Sequence, residues 1–285
     1  MNAKSAIEGG SFAPRRCILV PPESIRVVDW NIDRGVHLAE VVGFLARLKA
    51  DLIILQEVDQ NTRRTGNIDV ARVIAQQLKM NYVFGREFEE LTQESKGSHA
   101  YQGQATLSRW PITNARLIRF REQSTFWRPH AYMPRWRVFQ ERLGGRIALV
   151  VDVRITGRTI HAYNLHLESR GDDRLRRAQL EEVLEDARSY RPEASLVVAG
   201  DLNLDASTAE IATALSKADF HNGMGAKHLL TRPARSFFDS GRSVDALLTR
   251  GPIRVAQLSV HREVRASDHY PLFATVDLRQ GGIGT

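Results

Sequence analysis

Apolar runs that break off into acidic, amide or imidazole side chains constrain this chain more than any other feature. The sharpest is Leu196-Val197-Val198-Ala199-Gly200-Asp201-Leu202-Asn203, where a β-branched run passes a glycine and delivers a carboxylate, then an amide. Such a run reads as a buried strand, and a strand end is a rigid support for polar groups. Period-two alternation then puts Asp201 and Asn203 on one side, where their oxygens address one phosphate or one hydrated cation. The pattern recurs. Ile25–Trp30 ends in Asn31, with Asp33 two residues on; Leu52–Leu55 runs into Gln56 and Glu57; Arg158–Tyr163 leads to Asn164, Leu165 and His166. A lone polar residue at a strand end is most often a turn former. Four such ends, joined by Asp245 in Ser243–Leu248 and by Ser267-Asp268-His269, read as one site.

Helical stripes separate these runs. Leu38, Val41, Val42, Leu45 and Leu48 recur at helical spacing, as do Val70, Val73, Ile74 and Leu78, and then Leu180, Val183, Leu184 and Ala187; all three read as core faces. Ile147–Ile155, Thr156-Gly157-Arg158 and Thr159–Leu167 read as a hairpin, so a mixed sheet is expected. With 285 residues, 42% of them hydrophobic, the chain can bury a substantial core. Motifs from both halves must meet in one site, and no Pro/Ser-rich linker divides them. The expectation is therefore a flexible tail over residues 1–20 and a single domain over 21–285. Cys17 is the only cysteine, which excludes an intramolecular disulfide and a thiolate zinc site. Met1–Arg16 lacks an apolar signal core and no stretch approaches membrane-spanning length, so a cytoplasmic protein is expected.

Metal-assisted phosphoester hydrolysis suits this residue set. The reaction needs neutralised non-bridging oxygens, an in-line hydroxide and a stabilised leaving oxygen. Carboxylate and amide oxygens suit Mg²⁺ or Mn²⁺, whereas zinc favours His or Cys. A carboxylate-paired His269 can hold an imidazolium against phosphate while Asp201 takes the water proton; which of the two is the base stays open.

The chain resembles the endonuclease/exonuclease/phosphatase superfamily, which includes deoxyribonuclease I, abasic-site endonucleases, inositol-polyphosphate phosphatases and neutral sphingomyelinases. The resemblance spans Ile25 to Leu278 and rests on Trp30-Asn31-Ile32-Asp33, Leu55-Gln56-Glu57-Val58, Ala105-Thr106-Leu107-Ser108-Arg109, Asn164-Leu165-His166-Leu167, Gly200-Asp201-Leu202-Asn203, Val244-Asp245-Ala246 and Ser267-Asp268-His269-Tyr270-Pro271, in the family's order. It implies a four-layer α/β sandwich, two mixed sheets packed face to face with helices outside. It also implies that Glu57 is the principal metal ligand with Asn31 and Asp268 nearby, that Asp201 and Asn203 position phosphate and attacking water, and that Asp245 orients His269. His166 matches the second histidine of the deoxyribonuclease I and sphingomyelinase types, a departure from the abasic-site endonucleases.

A formal net charge of +7 attracts polyanions: nucleic acid first, with acidic phospholipid or inositol phosphate as alternatives. Between Arg119 and Arg142, arginines interleave with Phe126, Trp127, Tyr132, Trp136 and Phe139, a composition that grips single strands or else caps the sandwich with solvated arginines. Asn164, Arg170, Arg174, Trp127 and Trp136 are the candidate substrate contacts, and Arg63-Arg64 either lines the cleft or is solvated. His37, His99, His221, His228 and His261 have no acidic partner at metal-site spacing and are assigned no role. The expected activity is a metal-dependent phosphodiesterase acting on nucleic acid. The alternatives are a phosphoinositide phosphatase or sphingomyelinase-like lipid phosphodiesterase, and a non-catalytic basic nucleic-acid- or lipid-binding module.

Overall fold

Two sheets, each polar at one end of its inner face, set the architecture. The computed structural model describes residues 6–14, 20–95, 97–124, 126, 140–225, 227–234 and 240–278. Numbered in chain order, the first sheet runs β1 (Ile7–Ser11), β4 (Asn81–Glu90), β5 (Tyr101–Ser108), β3 (Leu52–Gln60), β2 (Ser24–Arg34), β14 (Leu272–Asp277), β13 (Arg254–Val260), with β7 (Arg142–Gly144) also paired to β4. The second runs β11 (His221–Asn222), β12 (Asp245–Arg250), β10 (Ser195–Asp201), β9 (Arg158–His166), β8 (Ile147–Ile155), β6 (Ile112–Arg119). Both are mixed: β2 and β3 are parallel, as are β9 and β10, within otherwise antiparallel sheets. Helices α1 (Leu38–Leu48) and α2 (Val70–Leu78) cover the outer face of the first sheet; α3 (Asp173–Arg188) and α4 (Ala209–Lys217) cover that of the second. The result is the four-layer α/β sandwich.

Alternation sorts each strand's side chains between layers. Val28, Trp30 and Ile32 of β2 and Ile53 and Leu55 of β3 pack outward on Val41, Leu45, Val70 and Ile74. Tyr163, Leu165, Leu196, Val198, Ala246 and Leu248 pack on Leu180, Val183, Leu184, Ile211 and Leu215. Between the sheets lie Ile25, Val27, Leu52, Ile54, Ile160, Ala162, Val197, Ala199 and Leu247, each Ile, Val or Leu side chain worth roughly 1.5–3 kcal/mol when fully buried. Continued along the same inward phase, these strands carry Asp29 and Asn31, Gln56, Asn164 and His166, Asp201, and Asp245. The inter-sheet layer thus turns from apolar to polar at one end of the molecule.

Within residues 1–20, where a flexible tail is expected, Ile7–Ser11 forms β1. Ile7–Ser11 pairs antiparallel with β4, Ile7 opposite Gly85, and the Phe12 amide donates to the Met80 carbonyl at 3.1 Å. Gly9 and Gly10 carry no hydropathy alternation, which hides this edge strand from a periodicity argument. They permit close approach instead, since a Cβ on Gly9 would stand 2.8 Å from the Tyr82 carbonyl oxygen.

Candidate active site

Backbone irregularities place the polar groups. Register shifts interrupt the β2–β3 pairing between Asn31 and Arg34 and the β3–β5 pairing between Leu55 and Val58. Asp33, Arg34, Glu57 and Asn203 sit at positive φ of 41°, 67°, 49° and 50°. Bulges and left-handed residues at strand ends re-aim side chains, and they concentrate at functional sites. In the second sheet the register itself aligns the groups: Asp201 lies opposite His166 on one side and opposite Asp245 on the other. The loop before β14 is stapled to β2, with the Trp30 indole donating to the His269 carbonyl at 2.9 Å and Ser267 Oγ to the Asn31 carbonyl at 2.6 Å.

Everything converges on one oxygen, Asp201 Oδ2. It accepts from Asn31 Nδ2 at 3.2 Å and lies 3.5 Å from His269 Nε2 and 3.7 Å from His166 Nε2. His269 Nδ1 contacts both Asp245 oxygens, at 2.9 and 3.1 Å. Asn31 Nδ2 also reaches Glu57 Oε1 at 3.4 Å, and His166 Nε2 is 3.9 Å from that oxygen. Asp201, Asp245, His166 and His269 are all buried, while Glu57 and Asp268 are half-buried at the mouth.

Environment drives the two histidines apart. Burial opposes charge on His269, but Asp245 and Asp201 outweigh it and raise its pKa to about 10. Burial, reinforced by Arg146, holds His166 well below the usual histidine value. Burial also raises Asp201 to about 6, with His269 pulling the other way, and, reinforced by Asp245, lifts Asp29 well above its ordinary value.

A divalent cation fits the mouth of this site by donor chemistry. Glu57, Asp268 and Asn31 offer hard oxygens, and their concentration of charge is visible at Asp33: burial raises its pKa, Arg34 opposes, and Asp268 and Glu57 push it further up. Asp201, Asp245 and His269 also present ligand atoms within 4.8 Å of one another.

The other candidate residues take different places around this centre. Asn164 is fully buried, donating to the Leu55 and Ala105 carbonyls at 2.9 and 3.0 Å and accepting from Gln56 at 2.9 Å; it bridges the sheets beneath the site and is closed to substrate. Asn203 is not placed by alternation, because β10 ends at Asp201. A left-handed turn follows, in which the Asn203 amide N–H donates to Asp201 Oδ1 at 2.9 Å and Nδ2 to the Leu167 carbonyl at 3.2 Å. Arg174 is exposed on the first turn of α3, 3.9 Å from Glu122. Arg170 is exposed too, its guanidinium 4.8 Å above the Phe126 ring. Trp127 and Trp136 lie outside the described residues. Of the flanking arginines, Arg142 pairs with buried Glu90 at 3.2 Å, whereas Arg121 is an exposed surface charge paired with Glu185 at 2.9 Å. Arg64 grips buried Asp59 through two bonds of 2.6 and 2.7 Å and donates to Glu90 at 3.1 Å, so it is not a solvated loop charge. His99 does have acidic partners, Glu89 and Glu94, at 2.8 and 2.9 Å.

Sequence reasoning missed Asp29, Glu87 and Arg146, all buried behind the site. The available signal was a charge in phase with inward apolar positions, as Glu87 is with Val83 and Gly85, or one abutting a strand, as Arg146 abuts Ile147.

The profile of the Endonuclease/Exonuclease/phosphatase family matches residues 30–269. No curated protein matches the sequence significantly. Among solved structures, an endonuclease/exonuclease/phosphatase from Beutenbergia cavernae superposes with a TM-score of 0.64 at 16% identity, over 90% of this chain and 72% of that one. One from Bacteroides vulgatus gives 0.64 at 18% identity, over 90% and 100%. TDP2 from Caenorhabditis elegans gives 0.61 at 20% identity, over 89% and 74%.

Proposed function

Since the chain belongs to the Endonuclease/Exonuclease/phosphatase family, we propose that it is a divalent-metal-dependent phosphodiesterase that cleaves nucleic acid. The observation that carries this reading is the meeting of His269, His166 and Asn31 on Asp201 Oδ2. Glu57, Asp268 and Asn31 would hold Mg²⁺ or Mn²⁺, which when bound supplies positive charge to the non-bridging oxygens. Asp201 accepts the proton of the attacking water, its raised pKa suiting it to that exchange near neutral pH. Asp245 holds the His269 imidazolium with Nε2–H directed inward, a donor for charge developing on the phosphoryl group. Asn203, locked to Asp201 by its own backbone, keeps that carboxylate from rotating.

Nucleic acid is favoured as substrate by the net charge of +7 and by Phe126, a ring 61% exposed and stacked under Arg170 two residues past Glu168. The test incubates the protein with single- and double-stranded oligonucleotides, phosphoinositide vesicles, sphingomyelin vesicles and a chromogenic diester, with Mg²⁺, Mn²⁺ or chelator. Metal-dependent oligonucleotide cleavage, lost in Asp201→Asn and His269→Ala, is expected. Cleavage confined to lipid, or undiminished in both variants, overturns the proposal.

A further inference from the structure

His166 has an arginine behind it, where His269 has an aspartate. Arg146 immediately precedes β8 and is 3% exposed. Its Nη1 contacts His166 Nδ1 at 2.8 Å and donates to Glu87 Oε1 at 2.7 Å, while Nη2 donates to Ser169 Oγ at 2.8 Å. The guanidinium stands between Glu87 and the ring, leaving Glu87 Oε2 3.7 Å from His166 Nδ1, beyond hydrogen-bond distance.

This order of groups decides where the ring proton is. A histidine backed by a carboxylate gives Nδ1–H to it and keeps Nε2 free to exchange a proton, the arrangement His269 has with Asp245. A guanidinium has donors only and keeps its protons at any accessible pH. His166 Nδ1 must therefore accept with its lone pair, and the single ring proton resides on Nε2. That nitrogen faces Asp201 Oδ2 at 3.7 Å and Glu57 Oε1 at 3.9 Å, on the side where substrate would enter.

We propose that Arg146 is a positioning residue that fixes His166 as the neutral Nε2–H tautomer, making His166 a permanent hydrogen-bond donor to a phosphoryl oxygen with no part in proton transfer. The donor role rests on the phosphodiesterase reading above; the tautomer does not. The proton leaving the attacking water goes to Asp201, and His166 keeps its own throughout. One residue type thus serves two tasks in one site, divided by what backs each ring.

The tautomer is read directly by ¹⁵N NMR of the histidine rings in the full chain without substrate. His166 is expected to show an unprotonated, hydrogen-bonded Nδ1 and a protonated Nε2. A protonated Nδ1 overturns the proposal whether or not the protein hydrolyses anything. Arg146→Met should let Glu87 capture Nδ1–H and move the proton; if that variant fails to fold, the wild-type spectrum still decides. Kinetics give the second reading. A glutamine can place an amide N–H near the position of Nε2, so His166→Gln should retain at least about tenfold more turnover than His166→Ala, which should lose roughly 10²–10³-fold, with the pH–rate profile unchanged in shape. Equal losses, or a vanished limb in the His166→Gln profile, overturn the donor role. A protein inactive on every phosphodiester but carrying the Nε2–H tautomer would sink the functional reading alone.

Discussion

Replacing Gly200 by alanine would strike the site through its scaffold. Gly200 sits at φ 146°, and a methyl there would stand 2.0 Å from the Leu165 carbonyl oxygen and 2.7 Å from its carbon. Leu165 lies opposite Gly200 in the parallel pairing of β9 and β10, so both colliding partners are backbone and neither rotates away. Relief requires the strands to part by more than about 1 Å, since non-bonded contacts are comfortable only near 3.5 Å. Strained backbone adds about 1–3 kcal/mol and overpacking roughly 1–3 kcal/mol, together about 2–6 kcal/mol. A domain with a typical ~5–15 kcal/mol of stability would mostly remain folded. Turnover should nevertheless drop further than the folded fraction, because the same displacement separates Asp201 from His166, the next pair in that register. Urea denaturation followed by fluorescence, with turnover normalised to folded protein, measures both. Gly66→Ala is the control: φ is 75° with nothing within 4 Å of the new Cβ, so backbone strain of about 1–2 kcal/mol is its whole effect. A Gly200→Ala variant no less stable than Gly66→Ala would refute the steric argument.

Glu57→Gln should fold as wild type, given its half-buried place at the mouth, but bind Mn²⁺ at least ~10-fold more weakly by calorimetry; equal affinity would remove Glu57 from the cation site. Burial pushes the Glu87 carboxyl up to about 7 against the pull of Arg146. Its folded pKa thus exceeds the unfolded value of 4.5, so its contribution is fully present below 4.5 and lost as pH rises through 7. Wild type should lose about 3 kcal/mol relative to Glu87→Gln across that window in denaturant titrations, and a pH-independent difference would contradict the burial argument. Phe126→Ala should weaken single-strand binding by roughly 1–3 kcal/mol while a small chromogenic diester is affected less, and equal losses on the two substrates would argue against stacking.

Depth along the inter-sheet layer separates what is legible in the sequence from what is not. Within one strand the change from apolar to polar is written consecutively: Ile25, Val27, Asp29, Asn31 in β2, and Ile160, Ala162, Asn164, His166 in β9. A reader of either run locates the end of the sheet that carries chemistry, and three helical stripes suffice to put α1, α2 and α3 outside it. The point at which the layer opens is a different quantity, set by how far one sheet overhangs the other. Asn164 and His166 are two residues apart on one face, yet Asn164 is sealed by Gln56, Leu55 and Ala105 from the opposite sheet while His166 faces Asp201 and Glu57. No alternation pattern within β9 distinguishes them. The same limit applies to Glu87 and Arg146, which meet across 59 residues of sequence. Glu87 stands between Arg86 and Phe88 and Arg146 between Gly145 and Ile147, and a buried charge demands a partner without naming it. The motifs therefore mark two histidines as site candidates, whereas what stands behind each ring, an aspartate for His269 and an arginine for His166, comes only from the packing of one sheet on the other. That difference in backing, invisible in the motifs, is what assigns the two rings to different work.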